Sequence, residues 1–172
     1  MVLLESLQVP LGSLAHDFSL PGIDGKNHSL SDLKGEKAVV IIFMCNHCPY
    51  VQTVIQKFIS LQQEFRDKGV VFVGINANES ANYPEDSFEK MSEYADKWGL
   101  NFAYLRDDSQ EVAKKYKAQC TPDIFVYDKD LKLAYHGKAE GELEDALTSL
   151  VAGKKPSEKQ NPSMGCSIKW KI

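Results

Sequence analysis

The strongest structural signal in the chain is AVVIIFMCNHCPY, residues 38–50. Its first seven residues are all apolar and more than half are β-branched, which predicts a strand buried on both faces. Apolar residues then recur at spacings of three and four and predict an amphipathic helix; they are Val51, Val54, Ile55, Phe58, Ile59 and Phe65. Gly69 ends this helix and residues 70–75 form the next strand, so the segment is a right-handed strand, helix, strand unit.

Further apolar patterns extend this unit into an α/β fold, a mixed sheet with helices on both faces. They predict a helix with its cap signal at Asp86, a strand over 102–105, a helix after Asp108, strands over 124–127 and 131–135, and a helix over 142–151. The helix near Asp86 buries Phe88, Met91, Ala95 and Trp98. The two late strands are joined by a turn too short for a crossover, so they are antiparallel neighbours at one edge of the sheet.

The polar, proline-containing segment GKKPSEKQNPS, residues 153–163, reads as a linker. The sequence becomes apolar again beyond it, with Ile168, Trp170 and Ile172, and we expect this tail to dock on the body. We therefore predict one domain over residues 1–152, followed by a linker and docking tail over residues 153–172.

Length and composition agree with one globular domain. The chain has 172 residues, of which 43% are hydrophobic and 26% charged, and its net charge is -4 with no long basic run. This charge pattern argues against nucleic-acid binding. The longest apolar run is far shorter than a membrane span of about 20 residues, and the first twenty residues lack the pattern of a secretory signal. We expect a cytoplasmic protein with no membrane partner.

The chemistry of the chain is expected at Cys45 and Cys48, which enclose Asn46 and His47 and precede Pro49. A thiol at a helix N-terminus meets unpaired N–H groups and the positive end of the helix dipole, which favour the reactive thiolate. Two intervening residues let the two thiols reach each other. Proline is compatible with the first helical turn, because no intrahelical partner exists there for an N–H group.

Three interpretations of this cysteine pair compete. A structural zinc site needs four ligands, and Cys120, Cys166 or His47 would have to complete it. Two plain buried cysteines are the second interpretation. A redox dithiol is favoured, because CxxC beside a strand, helix, strand pattern is typical of redox proteins. We predict no metal and no cofactor, and a metal-binding or chaperone module is the alternative from a different functional class.

Several stretches that span nearly the whole chain resemble the thioredoxin superfamily, and within it the peroxiredoxin-like branch related to alkyl hydroperoxide reductase and thiol-specific antioxidant proteins (AhpC/TSA). They are residues 17–22 (DFSLPG) with 24–25 (DG), 43–50 (FMCNHCPY), 121–123 (TPD) and 165–170 (GCSIKW). The resemblance implies a thioredoxin-like fold with an N-terminal extension, an inserted helix and strand over residues 86–105, and a C-terminal tail.

The resemblance also implies roles for the site residues. Cys45 is then the exposed attacking thiol, Cys48 the buried resolving thiol, and Thr121-Pro122 a cis-proline loop that faces the pair and can bind a peptide backbone. The implied activity is thiol-disulfide exchange on a protein or small-molecule disulfide. Thioredoxin with its reductase, or glutathione, would be the electron partner of a monomer or weak homodimer.

The other two cysteines are possible additional redox thiols. Cys120 lies two residues before Pro122 and should approach the pair in this fold, where it is either a redox thiol or an apolar filler. Cys166 lies in the apolar tail and could reach the site if the tail folds back.

The sequence departs from the family pattern in several places. Met44 replaces the tryptophan before the active-site pair of thioredoxin, and Val39 replaces its buried acid, for which Glu79 and Asp123 are candidate substitutes. The peroxidase signature P-x-x-x-T-x-x-C is missing, so thiol-dependent peroxidase activity is the runner-up. His47 is expected to pair with the Cys45 thiolate and lower its pKa.

Overall fold

A five-stranded mixed sheet forms the centre of the computed structural model, which describes residues 2–172. In spatial order its strands are β6 (Ala103–Arg106), β5 (Val70–Asn76), β4 (Ala38–Phe43), β8 (Asp123–Asp128) and β9 (Leu133–His136). Strands β4, β5 and β6 are parallel, whereas β8 runs antiparallel to both β4 and β9. The predicted mixed sheet with an antiparallel edge is confirmed.

Helices cover both faces of this sheet. One face carries α2 (Pro49–Phe65), α3 (Phe88–Trp98) and α5 (Glu142–Val151), and the other carries α1 (Leu30–Leu33) and α4 (Glu111–Tyr116). Alternate side chains of β4 point into these two apolar layers, which is why every residue of that strand is apolar. The predicted α/β fold, with helices on both faces of a mixed sheet, is confirmed, and α3 and β6 are the helix and strand predicted within residues 86–105. No helix within residues 2–172 is both long and apolar enough to cross a membrane.

Two small sheets complete the fold. Strands β2 (Ser19–Pro21) and β3 (Asn27–Ser29) pair with each other. Strands β1 (Leu3–Glu5), β10 (Met164–Ser167) and β7 (Cys120–Thr121) form an antiparallel sheet in which β10 is central. The C-terminal segment therefore lies between the start of the chain and the residues that precede Pro122.

The apolar residues of this C-terminal segment differ in burial. Ile168 lies in the apolar layer beneath α4 and is 3% exposed. Trp170 and Ile172, which the sequence also suggested as docking residues, are exposed. Ile168 is therefore the one of the three that packs fully into the core.

The start of α3 differs from the prediction in two details. Ser87, rather than Asp86, is the N-cap, and its hydroxyl accepts a hydrogen bond from the N–H of Lys90. Phe88 is exposed, although the pattern assigned it to the buried face. The first difference arises because the Asp86 side chain accepts a hydrogen bond from the backbone N–H of Asn46 in the loop between β4 and α2, so it is not available to cap α3.

Candidate active site

Cys48 occupies the N-terminus of α2. The helix begins at Pro49, and Cys48 is its N-cap with extended backbone angles of φ -124° and ψ 119°. Proline disfavours the helical conformation in the residue before it, so the helix cannot start earlier. Cys45 consequently lies in the loop between β4 and α2, and the positive end of the helix dipole acts on Cys48.

Three of the four cysteines converge in one thiol cluster, made of Cys45, Cys48 and Cys166. The Sγ atoms of Cys48 and Cys166 lie 3.0 Å apart. The Cys48 Sγ lies 3.4 Å from the Thr121 carbonyl oxygen, and the Cys45 Sγ lies 3.5 Å from the Thr121 hydroxyl oxygen. None of the four cysteines, all within the described residues, forms a disulfide.

The expectation that Cys45 is exposed is wrong. Its side chain is 2% exposed, against 1% for Cys48 and 4% for Cys166. The loop that carries Cys45 is held by hydrogen bonds that join Asn46 to Glu85, Asp86 and Tyr104. Exposure therefore does not distinguish an attacking thiol from a resolving thiol in this site.

Acidity does distinguish them. The hydrogen bond from Cys45 is the largest influence on Cys48 and, with hydrogen bonds from Cys166 and Thr121, it lowers the pKa of Cys48 to about 5 against the opposing effect of burial. The same hydrogen bond, together with burial and the nearby charge of Asp86, raises the pKa of Cys45 well above its usual range. These opposite directions favour Cys48 over Cys45 as the thiolate of the pair.

Thr121 and Pro122 lie beside the thiol cluster and are joined by a cis peptide bond. The resemblance implied that the backbone of this loop can bind a peptide. In the structure the backbone of Thr121 is instead paired with Cys166 of β10. Cys120 is fully buried, and its Sγ donates a hydrogen bond to the Pro122 carbonyl oxygen over 3.8 Å. Burial is the largest cause of the strongly raised pKa of Cys120.

Asp86 is a site residue that the sequence reasoning missed, because a cap signal explained it. Its Oδ1 accepts hydrogen bonds from the backbone N–H groups of Asn46, over 2.7 Å, and His47, over 3.4 Å. Its Oδ2 accepts a hydrogen bond from the Asn78 side-chain amide over 3.0 Å. The adjacent Ser87 is an equally good N-cap residue. Its presence was the one sequence signal that Asp86 could have a role other than capping the helix.

Asn46 anchors the same loop from within the core, where it is fully buried. Its Nδ2 donates to the Glu85 carbonyl oxygen over 2.9 Å, and its Oδ1 accepts from the Tyr104 hydroxyl over 2.7 Å. The Gln52 side-chain amide donates to the Asn46 carbonyl oxygen over 3.1 Å. Asn46 therefore positions the cysteines on either side of it.

The structure does not form the expected pairing of His47 with Cys45. The His47 side chain is exposed, and no hydrogen bond within residues 2–172 joins its imidazole to that sulfur. The hydrogen bond that holds this residue is the one its backbone N–H donates to Asp86. Acidity in the site thus comes from neighbouring thiols and a hydroxyl rather than from an imidazole.

Neither candidate for the buried acid touches the pair. The Glu79 carboxylate accepts the N–H groups of Ala81 and Asn82 and closes a turn. Asp123 is buried against His136, with 2.8 Å between Oδ1 and Nε2. The buried carboxylate next to the cysteines is Asp86, which reaches them from the insertion.

A cleft of about 400 Å³ opens onto the thiol cluster. The three cluster cysteines share its wall with residues from the β4–α2 loop, from the segment that follows β5 and from the tail, namely His47, Asn78, Asn82, Tyr83, Pro84, Glu85, Asp86, Ser167 and Lys169. Within residues 2–172, no three histidine, cysteine, aspartate or glutamate side chains form a group suited to a metal ion. A substrate disulfide that enters this cleft would meet the Cys48 sulfur, which has the Cys166 sulfur in contact with it.

Known proteins resemble this chain over most of its length. The model of the AhpC/TSA family matches residues 11–136. Thiol-disulfide oxidoreductase ResA of Geobacillus kaustophilus is 30% identical over 126 residues, which are 73% of this chain and 68% of that protein. The putative peroxiredoxin bcp of Helicobacter pylori is 31% identical over 115 residues, 67% of this chain and 69% of that protein. A crystal structure of an uncharacterized conserved protein from Geobacillus kaustophilus has 43% identity and a TM-score of 0.97, with 99% of this chain and 97% of that chain covered.

Proposed function

The chain belongs to the AhpC/TSA family, and from that premise we propose that it is a thiol-disulfide oxidoreductase whose redox dithiol is Cys45 and Cys48. Its relatives are thiol-disulfide oxidoreductases and Bcp peroxiredoxins, and redox activity of the CxxC pair fits both. The observation that carries the proposal is the position of the two thiols at the start of α2, where the sulfur atoms of Cys45 and Cys48 both lie within 3.5 Å of Thr121 in the cis-proline loop.

In the proposed reaction Cys48 attacks first. Its thiolate displaces one sulfur of a substrate disulfide, which forms a mixed disulfide on Cys48 and releases the first substrate thiolate. Cys45 then attacks the Cys48 sulfur, which forms the Cys45–Cys48 disulfide and releases the second substrate thiolate. The protein loses two electrons, the substrate gains them, and the Cys45 proton passes to a leaving thiolate.

This order reverses the roles that the resemblance assigned. Two features support Cys48 as the attacking residue, its N-cap position on α2 and its lowered pKa of about 5. The raised pKa of Cys45 suits a thiol that becomes a nucleophile only after the charge on Cys48 has been removed. Asn46 and Asp86 are positioning residues in this proposal, because they hold the loop that carries Cys45.

Disulfide or thiol substrates and redox partners in general follow from the oxidoreductase relatives. We extend this to a reset of the oxidised pair by thioredoxin with its reductase or by glutathione, in the cytoplasm, with the protein acting as a monomer or weak homodimer. Each of these reductants would attack the disulfide as a thiolate, so no cofactor is needed in the chain itself.

Capture of a substrate tests the order of attack. Reduced wild-type protein, Cys48→Ser and Cys45→Ser are each exposed to oxidised glutathione, and thiol loss and bound glutathione are followed by mass spectrometry. The wild type should lose thiols, Cys45→Ser should still react, and Cys48→Ser should react at least tenfold more slowly. Rapid glutathione capture by Cys48→Ser, with none by Cys45→Ser, would instead assign the attack to Cys45.

Peroxidase activity is the competing function, and the Bcp relatives favour it. Attack on peroxide would oxidise the Cys48 thiolate to a sulfenic acid, which another thiol would reduce. We expect peroxide consumption with thioredoxin as electron donor to be no faster than that of an ordinary thiol, because the proline and hydroxyl of the peroxidase signature are missing. Rapid turnover that is lost in Cys48→Ser would establish the peroxidase instead.

A further inference from the structure

The C-terminal strand brings a third sulfur to the attacking residue. In β10, Cys166 pairs with Leu3 on one side and with Thr121 on the other. This register sets the Cys166 Sγ 3.0 Å from the Cys48 Sγ, across 118 residues of sequence. That separation is only about 1 Å longer than a disulfide bond of about 2.05 Å.

Close approach of the two strands depends on the residue before Cys166. A Cβ atom on Gly165 would lie 2.0 Å from the Thr121 carbonyl oxygen and 2.6 Å from its carbonyl carbon. Both atoms belong to the backbone, so no side chain could move aside to make room. Glycine at this position therefore lets β10 approach the cis-proline loop and bring Cys166 to Cys48.

Besides burial, two neighbours of Cys166, Cys48 and Lys169, influence when it can become a thiolate, because contacts with Cys48 raise its pKa and Lys169 lowers it. Burial is the largest cause that raises the pKa of Cys166 to about 12, so it stays protonated while Cys48 carries the charge. The ammonium group of Lys169 opposes this rise in pKa and lines the same cleft. Its Nζ lies 3.0 Å from both the carbonyl and the hydroxyl oxygen of Ser167, the residue that follows Cys166 in β10.

We propose that Cys166 is a third redox thiol, which forms a disulfide with Cys48 during turnover. This inference rests on the proposed function, because it needs a substrate disulfide to load Cys48. Once Cys48 holds a mixed disulfide, the Cys166 sulfur attacks the Cys48 sulfur and expels the remaining substrate thiolate. A Cys48–Cys166 disulfide forms, the substrate disulfide has taken two electrons, and the Cys166 proton passes to the leaving thiolate.

The same contact connects the two possible disulfides of the site. If Cys45 resolves the mixed disulfide first, Cys166 can attack the Cys48 sulfur of the Cys45–Cys48 bond and release Cys45 as a thiol. This exchange moves the disulfide without a net change in electrons. The disulfide would then join Cys48 to Cys166 of β10, and Cys45 would again be in its reduced thiol form.

Cys120 does not share this geometry, although it lies on the strand next to β10. Its Sγ donates to the Pro122 carbonyl oxygen, and it is paired in register with Ser167 rather than with a cysteine. Cys120→Ala is therefore the matched control, a buried cysteine removed from the neighbouring strand.

The test uses Cys45→Ser, in which Cys166 is the remaining cluster thiol that can resolve Cys48. After reaction of the full-length reduced variant with oxidised glutathione, we expect loss of two of its three thiols, no bound glutathione, and a Cys48–Cys166 peptide pair in the mass map. Cys45→Ser with Cys166→Ser should instead retain one glutathione on Cys48. Cys45→Ser with Cys120→Ala should behave as Cys45→Ser does.

A Cys45→Ser variant that stops at one glutathione on Cys48 would overturn the role of Cys166 and leave the proposed function intact. Wild-type protein that neither loses thiols nor binds glutathione would overturn the proposed function itself. Far-UV circular dichroism of each variant identifies any that has failed to fold. For such a variant, the wild type oxidised with limiting oxidised glutathione serves as the second measurement, and a complete absence of the Cys48–Cys166 peptide pair there would also overturn the proposal.

Discussion

The acidity of Cys48 arises from several weak donors around one sulfur atom. Cys45 contributes the largest effect, and Cys166 and Thr121 add to it, while burial acts in the opposite direction. Hydrogen bonds to a thiolate stabilise the charged form, which explains why a nearly buried cysteine can be acidic. Removal of the principal donor should therefore reverse the effect.

Titration of the reduced protein by thiolate absorbance or alkylation rate should show one thiol with a pKa of about 5, against about 8.5 for an ordinary cysteine. Because the folded-state pKa is lowered, this thiolate stabilises the folded protein above the ordinary pKa, and the contribution is lost as the pH falls toward 5. Cys45→Ala should raise the Cys48 pKa by roughly one unit or more, and Cys120→Ala should not change it. A wild-type titration without an acidic thiol would contradict this account of the site.

Strand β10 shows how a short element can determine the composition of an active site. It has four residues, Met164–Ser167, and contacts the start of the chain on one edge and the loop before Pro122 on the other. Its position is set by backbone packing at Gly165 rather than by a large apolar side chain. A single added methyl group should therefore displace it.

Gly165→Ala should push β10 away from Thr121 and lower the free energy of unfolding by about 1–3 kcal/mol, the usual cost of overpacking. In the Cys45→Ser background it should also reduce the yield of the Cys48–Cys166 disulfide by at least severalfold. Urea unfolding and mass mapping measure these two effects. Lys155→Ala, an exposed change in the preceding linker, is the control and should alter neither. An unchanged disulfide yield in Gly165→Ala would show that close strand contact is not required.

Across the whole molecule, the two chain ends meet in one sheet beside the active site. We propose that residues 153–172 are an integral part of the domain, because β10 is the central strand of that sheet and Ile168 lies in the core. Hydrogen bonds extend the attachment past the strand, since the Lys169 N–H donates to the Asn78 side-chain oxygen over 2.9 Å and the Lys169 carbonyl oxygen accepts from the Glu79 N–H over 2.8 Å. Loss of the tail would thus remove both a core side chain and a cluster thiol.

Two isoleucines of the tail provide a matched test of this attachment. Ile168 is 3% exposed and Ile172 is fully exposed. Ile168→Ala should lower the free energy of unfolding by about 2–5 kcal/mol, as for other buried truncations to alanine. Ile172→Ala should change it by less than about 0.5 kcal/mol. Equal effects of the two substitutions in urea unfolding would mean that the tail is not part of the cooperative unit.

Much of the molecule was predictable from patterns that are local in the chain. Apolar periodicity was sufficient for the central sheet and for α2, α3 and α5, because a buried strand or helix face repeats over many residues. The same patterns placed the Cys45–Cys48 pair between β4 and α2. Pro49 also indicates that α2 begins after Cys48, because proline disfavours the helical conformation in the residue before it.

The chemistry within the cluster depended on contacts that no local pattern contains. Strands of two to four residues, such as β7 and β10, are too short to show a periodicity, so their pairing could not be read from the chain. The Asp86 carboxylate binds Asn46, between the two cysteines, from 40 residues away, and the Cys166 sulfur contacts Cys48 from 118 residues away. Thiol acidity and disulfide exchange both vary over distances of a few ångströms, and such distances between remote residues exist only once the chain has folded.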